Sequence, residues 1–304
     1  MTGSAITGCV IESYGRRVVV VPAGGGAPMP CKLRGRKLEV VAGDNVRVER
    51  HHGADDWTVV ERLPRRNVLK RSDSRGFEES IAANLDQLGV VVAPQPACDP
   101  YIVDRYVAGA CYAGIEPLLV VNKQDLPGDS GELAFVAPLR ALGLPVFRVS
   151  ARSGDGLDAL IEGLRGRRTL LAGQSGVGKS SLLNALAGDA IRATGHLSAG
   201  SGEGRHTTVS SAILRLPWGE LADSPGVRDY APPVVPLTDV QHGFAEIAAL
   251  AGGCRFQDCL HLREPQCAVR AAVDSRAMDA RRYDSYKRLL NLTRQLDEKR
   301  GWRT

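Results

Sequence analysis

The stretch GQSGVGKSS, Gly173 to Ser181, decides how the rest of the chain is read. LLAG ahead of it reads as the end of a strand and SSLLNALAG behind it as a helix, the context in which G-x-x-x-x-G-K-[ST] forms a phosphate loop. Gly173, Gly176 and Gly178 let backbone N–H groups turn inward around phosphates, with Gln174, Ser175, Val177 and Ser181 completing the cradle. The helix N-terminus adds its orphan donors and partial positive charge. Lys179 is expected to reach the β and γ phosphates as part of the catalytic machinery, and the Ser180 hydroxyl to ligate Mg²⁺.

Working back toward the N-terminus, a strand-like PLLVV runs into NKQD, which fits N-K-x-D, the guanine-reading pattern of Ras-like GTPases. Asp125 can accept from guanine N1–H and the exocyclic amine, an edge that adenine lacks. Asn122 can bond the other side of the base, and the stem of Lys123 can cover the ring face, with Gln124 between them. SAR, Ser150 to Arg152, follows another strand, PVFRV, and resembles the loop whose backbone N–H meets guanine O6, which puts Ser150 and Ala151 in the site. Downstream, GRHTT offers Thr207 and Thr208, one of which should close over the metal, with Thr208 the expected ligand. DSPG resembles the D-x-x-G box, with Asp223 holding Mg²⁺ through water and the Gly226 N–H sensing the γ-phosphate. Val227 stands where Ras-like enzymes place a water-orienting Gln, so His206 is the in-chain candidate for orienting the attacking water and Arg205 a weaker one for charge.

These elements run base, base, phosphate loop, first switch, second switch, the Ras-like order rotated so that the base-reading loops precede the phosphate loop. A circular permutation accounts for it, because a parallel sheet cut in a different loop still packs the same core. From Asn84 the strand and helix patterns alternate, the strands being continuous apolar runs, as in a parallel sheet covered on both faces.

Flanking segments have a different texture. Five short β-branched runs between residues 4 and 62, broken by Gly, Pro and Asp turns, predict a small five-stranded barrel of the oligonucleotide-binding (OB) type. LPRRNVLKRSDSRGFEES, from Leu63, reads as a basic linker, either a solvated hinge or an arm for phosphates. Beyond Pro232, Pro233 and Pro236, the cluster Cys254, Cys259, His261 and Cys267 has three thiols and an imidazole spaced C-x4-C-x-H-x5-C, a full tetrahedral shell for one structural Zn²⁺. A long basic amphipathic segment from about Ala272 to Arg300 reads equally well as phosphate contacts or as a helix with a solvated basic face. The resulting division is 1–63 barrel, 64–80 linker, 81–231 GTPase and 232–304 zinc-binding helices, a multidomain α/β chain.

The totals agree with this organisation. A chain of 304 residues with 43% apolar and 24% charged residues is ordinary globular material, long enough for two or three domains. The net charge of +5 allows a polyanionic partner without requiring one. No basic leader or membrane-length apolar run is present, so a cytoplasmic protein is expected. Cys9, Cys31, Cys98 and Cys111 are scattered in apolar contexts, as core filler.

With NKQD, GQSGVGKSS, GRHTT and DSPGVR in permuted order, followed by C-x4-C-x-H-x5-C, the chain resembles the ribosome small subunit-dependent GTPases of bacteria over essentially its whole length. The resemblance implies a circularly permuted Ras-like P-loop domain between an OB-fold barrel and a zinc domain. It further implies late maturation of the small ribosomal subunit, contact with its rRNA, GTP hydrolysis to GDP stimulated by that subunit, and use of His206 in hydrolysis. A monomer is the default. Two other readings stand beside it: an RNA-binding assembly module in which nucleotide only sets affinity, and a permuted GTPase serving the large subunit.

Overall fold

The computed structural model describes residues 5–50, 56–126, 133–188, 211–223 and 230–301. The expected five strands form: β1 (Ala5–Tyr14), β2 (Arg17–Pro22), β3 (Met29–Leu33), β4 (Asn45–Arg50) and β5 (Trp57–Arg62). Alternate side chains Val10, Val18, Val20, Val46, Val48 and Val59 fill the interior, and β4 pairs with both β1 and β5, curling the sheet toward closure.

The basic stretch read as a linker contains a β-hairpin, β6 (Val68–Ser72) against β7 (Glu78–Ala83). Its apolar residues Leu69, Ile81 and Ala82 are buried in the core of the following domain. Much of its basic charge is spent inside the hairpin, where Lys70 meets Glu78 and Arg71 meets Glu79, each at 2.8 Å. Such cross-strand pairs are the sheet counterpart of helix i,i+4 pairs, and they are what makes the sequence look like polar loop.

Strands β8 (Gln87–Val92), β9 (Glu116–Val121), β10 (Val146–Arg148), β11 (Arg168–Ala172) and β13 (Gly219–Asp223) run parallel, with β12 (Ser211–Leu216) antiparallel to β13. The order is β10-β9-β8-β11-β13-β12. The chain therefore builds one half outward from β8, returns to the middle at β11, and builds the other half. Beside β11 lies the topological switch point at which open α/β sheets bind ligands. Both faces are covered. Leu88, Val90, Val92, Leu119 and Val121 meet helices α1 (Pro100–Ala113) and α2 (Val136–Ala141). Val91, Leu118, Val120 and Leu171 meet α3 (Leu157–Leu164) and α4 (Lys179–Ala187). Helix α2 is shorter than its pattern suggests, because Pro138 is tolerated only in a first turn and fixes the start nearby.

Barrel and parallel sheet are continuous: Glu12 and Ser13 of β1 pair with Ala212 and Ser211 of β12. Arg168 crosses the junction, donating to Glu220 at 2.7 Å, to the Gly43 carbonyl at 3.2 Å and to Cys9 Sγ at 3.5 Å. After the prolines a 3₁₀ turn (Leu237–Gly243) leads to α5 (Ala245–Ala251), α6 (Ala268–Asp274) and α7 (Ala280–Gly301). The long amphipathic segment is thus two helices. It breaks where Arg276 takes a left-handed φ of 60° and Asp279 Oδ1 accepts the Arg282 N–H to start α7. A core of Val240, Phe244, Ile247, Val269, Tyr286, Leu289 and Leu290 joins these helices, and Ala108 of α1 enters it.

Candidate functional site

At the carboxyl ends of β9, β10 and β11 three loops meet. Gly173 has φ 143°, and a Cβ there would lie 2.2 Å from the Val91 carbonyl oxygen, so only glycine lets the loop leave β11 this close to β8. At the other end of the loop, Gly178 caps α4 with φ 90°, and a Cβ would fall 2.5 Å from Asn122 Nδ2. The phosphate loop and the N-K-x-D loop are packed so closely that the second dictates glycine in the first.

The same pair is wired by hydrogen bonds. Asn122 is buried; its Nδ2 donates to the carbonyls of Val177 (3.0 Å) and Gly178 (3.4 Å), and its Oδ1 accepts the Ala151 N–H (3.1 Å). Lys123, at a left-handed φ of 63°, sends Nζ to the carbonyls of Gly176 (2.6 Å) and Gln95 (2.9 Å). Lys179 Nζ lies over the loop, donating to the carbonyls of Gly173 and Gln174 at 2.6 Å each. One asparagine therefore links all three loops, although 55 residues separate it from Val177.

Ser150 fixes the acid. Its hydroxyl donates to Asp125 Oδ1 at 2.6 Å and accepts the N–H groups of Arg152 (3.2 Å) and Ser153 (3.0 Å). That hydroxyl is the main reason the Asp125 carboxyl sits below its ordinary range, so the side chain is a committed acceptor at neutral pH. The spacing alone suggested a backbone role for this segment; the serine side chain adds the orientation of the neighbouring acid. Asp223 ends β13 beside β11, on the same edge of the sheet. Arg205, His206, Thr207, Thr208, Gly226 and Val227 lie outside the described residues.

The second cluster is compact. One ligand atom from each of Cys254, Cys259, His261 and Cys267 lies within 4.8 Å of the others, a set that could hold a metal ion. His261 turns Nδ1 toward the sulfurs of Cys254 (3.5 Å) and Cys267 (3.4 Å), while Nε2 faces Gln241 Oε1 at 3.0 Å. Gln241, on the 3₁₀ turn, belongs to no motif; only its contact reveals that it orients the imidazole. The loop is held from α7 as well, since the Tyr283 hydroxyl donates to the His261 carbonyl (2.5 Å) and the Tyr286 hydroxyl to the Leu260 carbonyl (2.9 Å). Burial pushes the Cys259 thiol up to about 12 and lowers His261. In such surroundings thiolates need a cation among them, which a bound metal supplies.

The model of the RsgA GTPase family matches residues 62–231. The chain belongs to this family. RsgA relatives are similar well beyond the matched span: proteins named small ribosomal subunit biogenesis GTPase RsgA from Ectopseudomonas mendocina and Pseudomonas fluorescens are each 41% identical over 295 residues, covering 95% of this chain and 86% of the relative. The crystal structure of YjeQ from Thermotoga maritima superposes with a TM-score of 0.72 at 28% identity, covering 95% of this chain and 99% of that one. That of YloQ, described as a circularly permuted GTPase, does so with a TM-score of 0.72 at 25% identity and 96% of both chains. The reversed order of the loops in this RsgA-family chain is thus the order of a permuted GTPase fold, and GTP hydrolysis is the activity of the family.

Proposed function

We propose that this chain hydrolyses GTP while bound to the small ribosomal subunit, and that it acts late in maturation of that subunit. The observation that carries the reading is the bracing of the guanine-reading loop on the phosphate loop through Asn122 and Lys123. It makes base and phosphate recognition parts of one rigid site, as a guanine-specific hydrolase needs. The names of the relatives supply the subunit.

In this reading Asp125 selects guanine, assisted by Asn122, Lys123, Gln124, Ser150 and Ala151. Residues Gly173 to Ser181 wrap the phosphates, with Lys179 countering the charge that develops on them. Mg²⁺ suits the oxygen donors Ser180, Asp223 and Thr207 or Thr208, and it would neutralise phosphate charge. His206 orients the attacking water, and Gly226 senses the γ-phosphate. Zn²⁺ suits three thiolates and an imidazole with no ligand position left open, so its role is to hold the C-terminal helices. In this reading the chain divides into a barrel over 1–63, a GTPase domain to 231 that takes in the hairpin, and zinc-binding helices over 232–304, the burial of Leu69, Ile81 and Ala82 supporting the hairpin's place. Residence in the cytoplasm, contact with rRNA and a monomeric state complete the proposal. Among the described residues no helix is long and apolar enough to cross a membrane.

The test is multiple-turnover hydrolysis of GTP and ATP, alone and with purified small or large ribosomal subunits. GTP turnover should rise at least tenfold with the small subunit only, with ATP left intact. Equal stimulation by the large subunit, or none by either, would contradict the proposal.

A further inference from the structure

Helices α1 and α7 meet along a seam that carries more positive charge than its own acids can balance. Asp104 on α1 is buried and already shared, bonding Arg282 at 2.6 Å and Arg281 at 2.7 Å, while Glu246 takes the rest of Arg282 at 2.7 and 3.1 Å. Nε and one terminal nitrogen of Arg281 stay buried without a partner, as does Nε of Arg105. Among the described residues neither Arg105 nor Arg288 has a carboxylate partner; each instead lies over the ring of Tyr101, with guanidinium carbons 5.0 and 5.7 Å from its centroid. Arg288 is exposed and Arg105, Arg281 and Tyr101 are half-buried, so the seam opens to solvent.

Guanidinium groups gathered on one ring without a carboxylate partner, where the seam opens to solvent, favour a phosphate, whose oxygens match their fork. We infer that the α1–α7 seam binds the phosphate backbone of an RNA through Arg105 and Arg288. This rests on the reading that ribosomal RNA is the partner, and it locates one contact that joins the GTPase domain to the C-terminal helices. Recognition there is independent of base identity, because two guanidinium groups already occupy the ring of Tyr101.

The experiment uses the full-length protein loaded with a non-hydrolysable GTP analogue. Its affinity for purified small subunits, and for rRNA extracted from them, is measured between 50 and 250 mM salt in wild type and in Arg105→Gln, Arg288→Gln and the double variant. Neutralising one phosphate contact should weaken the double variant about tenfold and reduce its log–log salt slope by about one, on subunit and on extracted RNA alike, at unchanged guanine-nucleotide affinity. Arg288→Gln, at an exposed position, carries the test if the Arg105 changes disturb folding. Wild-type affinity and slope in the variants would overturn the inference, and so would an effect on intact subunits that is absent on RNA, which would make the partner a protein. A wild-type protein that binds neither with salt dependence would remove the rRNA reading itself, and the inference with it.

Discussion

The nucleotide loops and the metal cluster solve opposite problems. The nucleotide site gathers residues from distant parts of the chain, Asn122, Ser150 and Gly173 to Lys179, and these brace one another directly at the edge of one sheet. The metal cluster takes all its ligands from fourteen neighbouring residues, yet depends on remote groups, Gln241 before it and Tyr283 and Tyr286 after it, to hold the loop in shape. A dispersed site needs a rigid sheet to assemble it; a local site needs only a loop, and borrows its rigidity from whatever packs around it.

Perturbing each site separately sharpens that contrast. The largest effect is expected from Lys179→Ala, which should lower single-turnover GTP hydrolysis about 10³-fold while metal content by atomic absorption stays at one per chain. Removing the metal with a chelator should come next. Binding of a structural Zn²⁺ contributes on the order of 10 kcal/mol to folding, so hydrogen exchange of α5, α6 and the start of α7 should approach that of unfolded chain while β8 to β11 remain protected. Loss of protection throughout the sheet would show that the two sites are not independent.

Gln241→Ala is expected to weaken Zn²⁺ binding about 10- to 100-fold in competition with a chromogenic chelator, with Gln241→Glu, which still accepts the Nε2–H, restoring most of it. GTP affinity should not change in either. The smallest effect belongs to Ser150→Ala. Without the hydroxyl the Asp125 pKa rises toward its ordinary value, so its carboxylate is lost at a higher pH as the solution is acidified. Guanine-nucleotide affinity should therefore begin to fall at a higher pH than in wild type, and differ little at pH 7.

Local constraint explains what was legible beforehand. GQSGVGKSS and NKQD show themselves because close backbone approach demands glycine and base recognition demands particular side chains, and the continuous apolar strands VVV and PLLVV announce a sheet buried on both faces. The barrel was legible from its alternating valines. The hairpin β6–β7 was not, since its residues Lys70, Arg71, Glu78 and Glu79 satisfy one another across the strands and leave no apolar period to see. Gln241 was invisible for a related reason: a lone glutamine gains meaning only from the imidazole 20 positions away. The break before α7 rests on the left-handed Arg276, a residue with no intrinsic preference for that conformation. The exit of the parallel sheet into the barrel through Ser211 and Ala212 has no sequence signal either, because two paired residues are too few to form a pattern.

The central claim is that NKQD and GQSGVGKSS, reversed along the chain, are two halves of one guanine-nucleotide site. Titration of wild type and Asp125→Asn with fluorescent GTP, ATP and xanthosine triphosphate tests it most directly. An amide at 125 presents a donor to the carbonyl that xanthine carries in place of the guanine amine. The variant should lose about 100-fold in GTP affinity and gain xanthosine triphosphate, with ATP binding weakly to both proteins. Unchanged GTP affinity in Asp125→Asn, or ATP bound as tightly as GTP by the wild type, would contradict it.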